Sequence, residues 1–197
     1  MNTQKTIDTE LGRIMEDSAV LPLFDEYCAF NPEIIVLLDE VRDMCAANRC
    51  GMYGKNWACP PGCGTLPEIK ARIHAYDHGI IVQTVARLED DFDFEGMVEA
   101  EKHNKTNFEN LVDELRQMPQ IESCMPLGAG TCTLCKECTY PDNPCRQPER
   151  SHSSLEAAGV QVSDLCRDAG IPYYHGRGTV SYTGCVLIRF KKSKETV

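Results

Sequence analysis

Apolar residues recur at helical spacing after two start signals in the first half of the chain. Asn31 and Pro32 form the first signal, and the stripe that follows predicts a helix to about residue 48 through Ile34, Leu37, Leu38, Val41 and Cys45. Thr65 and Glu68 form a capping-box pattern before a helix over about residues 67–77, which Gly79 ends. Between these helices, residues 51–64 have no period and are predicted to be a loop.

Further helices are predicted at both ends and in the centre of the chain. A short helix is expected around residues 11–15, followed by a loop to about residue 30. Asp93 caps a long helix over about residues 94–118, although its polar centre weakens the stripe. Ser153 and Glu156 predict a short helix that Gly159 closes, and a last helix is expected to begin at the cap Ser163 and to end at Gly170.

Runs rich in β-branched residues predict three strands, over residues 80–88, 124–128 and 183–190. Strands that alternate unevenly with helices favour an α+β fold: one compact domain with a small sheet, flanking helices and two cysteine-rich loops. We expect residues 1–30 to form a partly irregular N-terminal segment, residues 31–190 the domain, and residues 191–197 a flexible basic tail. No glycine-rich nucleotide-binding pattern is found.

Composition and charge narrow the class of protein. The 197 residues carry a formal net charge of −10, which disfavours nucleic acid as a partner because phosphate binding needs clustered Lys and Arg. No signal-peptide pattern and no membrane-spanning apolar stretch is visible, so we expect a cytoplasmic protein. In that compartment thiols stay reduced, and the 12 cysteines are therefore available to metals or to chemistry.

Four cysteines near the centre form the strongest chemical pattern in the chain. Three follow at intervals of three residues, and a fourth comes after a proline-rich turn: Cys132, Cys135, Cys138 and Cys145. A single zinc ion is usually bound by two separate pairs of ligands, whereas a cuboidal [4Fe–4S] cluster suits a chain that wraps one side of several irons. The pattern favours one [4Fe–4S] cluster, with Zn²⁺ as the alternative.

A second, looser group comprises Cys45, Cys50, Cys59 and Cys63, and it predicts a possible second cluster. Tyr53, Lys55 and Trp57 lie within this loop and would shield a cluster from water. Cys63 is the weakest ligand candidate. If it is not a ligand, one iron would be open to a substrate, to water or to an outside ligand.

Two basic residues close to the fourth motif cysteine, Arg146 and Arg150, have two interpretations. They would form an anion pocket beside the cluster, or they would offset its negative charge and pair with neighbouring carboxylates. The cysteines outside the motif positions are interpreted as buried small residues: Cys28, Cys63, Cys124, Cys166 and Cys185.

Four strings together resemble one family, the predicted metal-binding proteins DUF2284: CGMYGKNWACPP from Cys50, LGAGTCTLCKEC from Leu127, CRQPE from Cys145 and SLEAAGV from Ser154. The similarity covers about residues 45–189. It implies a small, cytosolic, cysteine-rich protein typical of anaerobic bacteria and archaea, and it implies no particular reaction.

Three functions follow as hypotheses. The first is an iron–sulfur protein that transfers single electrons to a redox protein partner in anaerobic metabolism. The second is a redox or Lewis-acid enzyme that uses an incompletely ligated cluster on a small anionic substrate. The third is a zinc-binding structural or regulatory module.

Overall fold

A computed structural model describes residues 9–90 and 92–192. In chain order its elements are α1 Thr9–Asp17, β1 Glu26–Phe30, α2 Asp39–Ala46, α3 Leu66–Ile73, β2 His78–Arg87, α4 Phe94–Gln117, β3 Ile121–Leu127, α5 Val162–Ala169 and β4 Thr179–Phe190, with 3₁₀ turns at Leu21–Leu23 and Pro32–Ile34. The predicted fold class is confirmed. None of the helices in the described ranges is long and apolar enough to cross a membrane.

The four strands form one antiparallel sheet in the order β1-β2-β4-β3. Successive residues of β2 and β4 point to opposite faces, and both faces are covered. Ile80 and Val82 pack with α1 and α4, whereas Ile81 and Leu187 pack with α3, α5 and the turn that contains Leu155. Both faces of the sheet are therefore covered, and its two central strands are continuously buried over residues 79–84 and 183–188.

The long helix α4 confirms the prediction from its capping signal. Asp93 Oδ1 accepts a hydrogen bond of 2.9 Å from Gly96 N, and the helix runs without a break to Gln117. Its polar centre interrupts the stripe without breaking the helix, since Asn104 and Asn107 are themselves buried. The Phe108 ring of α4 packs directly against Gly184 of the last strand. A Cβ atom at Gly184 would lie 2.8 Å from this ring, so the helix lies this close to the sheet because residue 184 is glycine.

The predicted helix over residues 31–48 is wrong in its first half. Asn31 does cap, with its Oδ1 accepting from Glu33 N at 3.0 Å, but only a 3₁₀ turn follows. Leu37 pairs with Val160 in an isolated bridge and Leu38 N donates to Gly159 O at 2.8 Å, so this backbone is extended. The helix begins only at Asp39.

The helix expected after Ser153 is also wrong. The segment pairs with Gly128, whose N donates to Ser153 O at 2.9 Å, and only a turn forms. Ser154, not Ser153, accepts the capping hydrogen bond, from Ala157 N at 3.1 Å. Helix α5 then begins at Val162, with Ser163 inside it, and ends at Gly170 as predicted, where φ is 85°.

Three smaller corrections concern strand β1, the end of α3 and the start of the last strand. Part of the expected loop before residue 30 is strand β1. The capping box of α3 is present, but the helix ends at Ile73, and Gly79 lies inside β2 where a Cβ would lie 2.5 Å from the Phe30 ring. The last strand begins earlier than predicted, at Thr179. Most of the predicted flexible tail lies outside the described residues.

Candidate metal centre

Both cysteine-rich loops are irregular and belong to the same side of the fold. The first loop (residues 45–63) leaves the end of α2 and leads to the capping box of α3, and the second loop (residues 132–145) follows β3. All twelve cysteines of the chain have free thiols. None of the predicted ligands is therefore tied up in a disulfide bond, and all are available to bind a metal.

The second loop folds its four thiols around one small pocket. Cys132, Cys135, Cys138 and Cys145 all line it. Trp57 of the first loop closes part of the same pocket, whereas the sequence predicted that it would shield a cluster of its own loop. Among the residues described, no group of three or more Cys, His, Asp and Glu side chains is arranged to hold one metal ion. The four thiols therefore line one pocket.

Hydrogen-bond donors reach two of these sulfur atoms. Gln147 Nε2 lies 3.6 Å from Cys135 Sγ and also donates to Leu134 O at 3.1 Å. Ser151 Oγ lies 3.8 Å from Cys132 Sγ. Donors beside a metal-bound thiolate tune its charge and its reduction potential. Gln147 and Ser151 were not identified as site residues from the sequence. The only signal for them in the sequence is that they follow Cys145 closely.

In the first loop three thiols interact electrostatically, and the fourth is buried against an arginine. Burial raises the pKa of the Cys45 thiol, Arg42 opposes the shift, and the thiols of Cys59 and Cys50 add to it. Cys63 is buried, with Arg42 Nη1 at 3.3 Å and Ala157 O at 3.4 Å from its sulfur. Cys50 and Cys59 thus act on the Cys45 thiol, and Arg42 acts on Cys45 and contacts Cys63.

Side chains of both loops contact each other and join the two thiol groups. Cys59 Sγ lies 3.5 Å from the hydroxyl of Thr131, the residue before Cys132, and Asn56 Nδ2 donates to the same hydroxyl at 3.3 Å. Trp57 Nε1 donates to Asn143 O at 3.0 Å, and its ring meets that of Tyr140 edge-on at 4.9 Å. The two cysteine-rich loops are therefore in direct contact.

We expect Gly62→Ala to loosen this junction. A Cβ atom at position 62 would lie 2.6 Å from the backbone oxygen of Asn56 and 2.9 Å from the Tyr140 ring, so the loops must separate. Bound metal should then be lost to a chelator several-fold faster than from the wild type, while far-UV circular dichroism stays unchanged because residue 62 lies outside the helices and strands.

The control for this experiment is Lys136→Ala, an exposed position of the second loop. It should lose metal at the wild-type rate. Equal rates for Gly62→Ala and the wild type would contradict the view that contact between the loops holds the centre together.

The two arginines that the sequence grouped lie in different places. Arg146 lines the cysteine pocket, where its Nη1 donates to Glu137 O at 2.8 Å. Arg150 is exposed and lies on another cavity, with its Nε 3.7 Å from Glu109 Oε2. The two arginines line different cavities. A single anion pocket formed by both stays a prediction.

The remaining cysteines are packed inside the domain. Burial raises the pKa of Cys28 and of Cys124 to about 11, and it also raises the pKa values of Cys166 and Cys185. A raised thiol pKa means less thiolate, which is the form that binds metals and reacts with electrophiles. Cys166 and Cys185 are buried, as interpreted, whereas Cys28 and Cys124 are half-buried.

Alkylation should separate these thiols from those of the loops. In the metal-free, folded protein under mildly alkaline conditions, we expect iodoacetamide to modify the exposed Cys50 at least about tenfold faster than Cys28, Cys124, Cys166 and Cys185. Mass spectrometry of peptides after timed quenching measures the rates, and circular dichroism confirms that the fold persists. Rapid labelling of Cys124 in folded protein would contradict the assignment.

Fold and thiols together define a small cysteine-rich α+β protein in which two irregular loops place several thiols side by side. The family model described as predicted metal-binding protein (DUF2284) matches residues 28–188, and the chain belongs to this family. No curated protein and no solved structure matches the chain. The family description therefore predicts metal binding, and the pocket lined by the four cysteines of the second loop is the candidate site.

Proposed function

We propose that this chain is an iron–sulfur protein in which Cys132, Cys135, Cys138 and Cys145 bind one [4Fe–4S] cluster, and that it transfers single electrons in the cytoplasm of an anaerobe. The observation that carries the proposal is the single pocket that all four thiols line.

The arrangement of the thiols favours a cluster over one ion. Around one tetrahedral zinc ion with bonds of about 2.3 Å, the sulfur atoms would lie about 3.8 Å apart. In a [4Fe–4S] cluster each thiolate binds a different iron, so the sulfur atoms lie further apart. The four thiols lie within fourteen positions of the chain and line one pocket, which suits a chain that wraps one side of several irons.

The backbone of the second loop adds support. From Ala129 to Cys138 no backbone amide donates a hydrogen bond to another of the described residues. Such amides would be donors to cluster sulfides and cysteine thiolates, and hydrogen bonds of this kind tune the potential of iron–sulfur centres. The segment is thus suited to surround a group rich in sulfur acceptors.

A second centre at the first loop would make the protein a two-centre relay. Cys45, Cys50 and Cys59 are neighbours, and Cys59 reaches the residue before Cys132. Electrons would then pass between two adjacent groups in the same chain. The net charge of −10, which each cluster would make more negative, suits a partner with a basic docking surface.

Anaerobic purification and reconstitution test this proposal. Iron and acid-labile sulfide should reach about four each per chain for one cluster. Chemical reduction should produce the low-temperature EPR signal of a reduced cluster. Stoichiometric zinc, with no iron or sulfide taken up during reconstitution, would contradict the proposal and favour the zinc-binding structural or regulatory module.

A second candidate function rests on the position of Cys63. If three thiols bind a cluster at the first loop, one iron would be free to act as a Lewis acid or reductant on a small substrate. The contacts of Cys63 with Arg42 and Ala157 favour this version over four ligands. An anionic substrate with Arg146 as a partner stays a prediction.

A further inference from the structure

A groove of about 550 Å³ lies between α4 and the segment of residues 128–134, and residues 152–154 close one end of it. Cavities of this size commonly accept small organic molecules. Cys132 and Leu134 line both this groove and the cysteine pocket. A molecule in the groove would therefore lie beside the Cys132 side of the metal centre.

One cation of the groove is fully engaged. Lys105 Nζ lies 2.6 Å from Glu101 Oε1 and donates to Thr131 O at 3.0 Å. A Cβ atom at Gly130, where φ is 72°, would lie 2.7 Å from Glu101 Oε1, so the pair packs directly against this glycine. Lys105 thus serves to anchor the loop and is not available to an anionic ligand.

Two acceptors of the groove wall are left without close donors. The side-chain oxygen of Asn104 is buried and has no hydrogen-bond partner among the described residues, and the residue is 1% exposed. Glu109 has its nearest cationic partners at 3.7 Å, on Arg150, and 3.8 Å, on His152, which are ion-pair distances rather than hydrogen bonds. A buried acceptor such as the Asn104 side-chain oxygen normally has a donor, whereas the Glu109 side chain is 25% exposed.

The charge on Glu109 is poorly compensated as well. Burial raises its pKa, Arg150 lowers it, Asp113 raises it further, and Arg116 lowers it. Burial lowers the pKa of His152 to about 4, so this imidazole is neutral near pH 7 and contributes no charge. Arg150 is left as the nearest cation, and its side chain is 56% exposed. A half-buried carboxylate whose nearest cation is solvated gains from a further cation at close range.

We infer that the groove binds a small molecule that carries a protonated amine, with Glu109 holding the charge and Asn104 accepting one of its N–H groups after a small rotation. A carboxylate ligand would face the charge of Glu109 and that of the metal–thiolate centre. The inference goes beyond electron transfer and does not depend on which metal the cysteines bind.

The test is isothermal titration calorimetry of the metal-loaded protein with two probes of matched size, n-butylamine hydrochloride and sodium butyrate. Butylamine should bind saturably and butyrate should not. Glu109→Gln should weaken butylamine binding at least about tenfold, whereas Glu99→Gln, the same change at an exposed position of α4, should leave it unchanged. Preference for butyrate, or no saturable butylamine binding, would overturn the inference.

Asn104→Leu separates a binding role from a structural one. Removing a buried acceptor that lacks a partner should leave the melting temperature equal or higher, while butylamine binding falls at least about tenfold. A lower melting temperature with unchanged butylamine binding would make Asn104 a structural residue and overturn its assignment. Metal content is measured in each sample. A protein without iron contradicts the proposed function, whereas a metal-loaded protein that does not bind butylamine contradicts this inference.

Discussion

Cys135→Ser is expected to remove about four iron and four sulfide ions per chain, together with the visible absorption and the EPR signal of the second-loop cluster. Cys135 lines the pocket that all four motif thiols share, and Gln147 Nε2 lies 3.6 Å from its sulfur. A serine hydroxyl is a hard and weakly acidic ligand, whereas soft thiolates are the ligands that iron–sulfur clusters select. Iron and sulfide analysis after anaerobic reconstitution measures the loss.

The control is Cys124→Ser on strand β3, which removes one half-buried thiol without touching either loop. It should keep the full iron and sulfide content. If Cys135→Ser also keeps the wild-type iron and sulfide content, this thiol is not a ligand, and the proposal of a cluster with four cysteine ligands in the second loop is wrong.

A second large effect is expected from a pair of substitutions in the first loop. Cys59→Ala should lower total iron by about half if each loop holds one cluster, while Cys63→Ala, only four residues away, should leave it unchanged. Cys59 neighbours the Cys45 thiol and lies 3.5 Å from the Thr131 hydroxyl. Cys63 instead contacts Arg42, whose guanidinium also donates to Ala157 O and Gly64 O at 2.6 and 2.7 Å.

The outcome of this pair separates the two candidate functions. Intact iron in Cys63→Ala supports a three-thiolate centre with an open position, and the EPR spectrum of such a centre should change when outside ligands are added. Equal losses in both variants would make Cys63 a fourth ligand and would favour a two-centre electron relay. Unchanged iron in Cys59→Ala would mean that the first loop holds no cluster.

Local signals in the sequence predicted the elements whose ends are fixed by their own side chains. Asp93 places the start of α4, and Thr65 with Glu68 places the start of α3, because these side chains bond to amides within their own first turn. The same reasoning failed at Asn31. There the cap forms, but the backbone at Leu37 and Leu38 bonds to a segment more than a hundred residues away, and a local pattern does not reveal such a partner.

The sequence by itself determined which residue types are available and how they are spaced: four thiols within fourteen positions, a second group upstream, and the family that their strings resemble. Only the tertiary structure decided that Trp57 closes the pocket of the other loop, that Cys63 is turned toward Arg42, and that α4 forms a groove beside Cys132. The reason is physical. Spacing along the chain limits which neighbours one loop can offer to a metal, whereas the contacts between loops depend on how the sheet brings β3, α2 and α4 together.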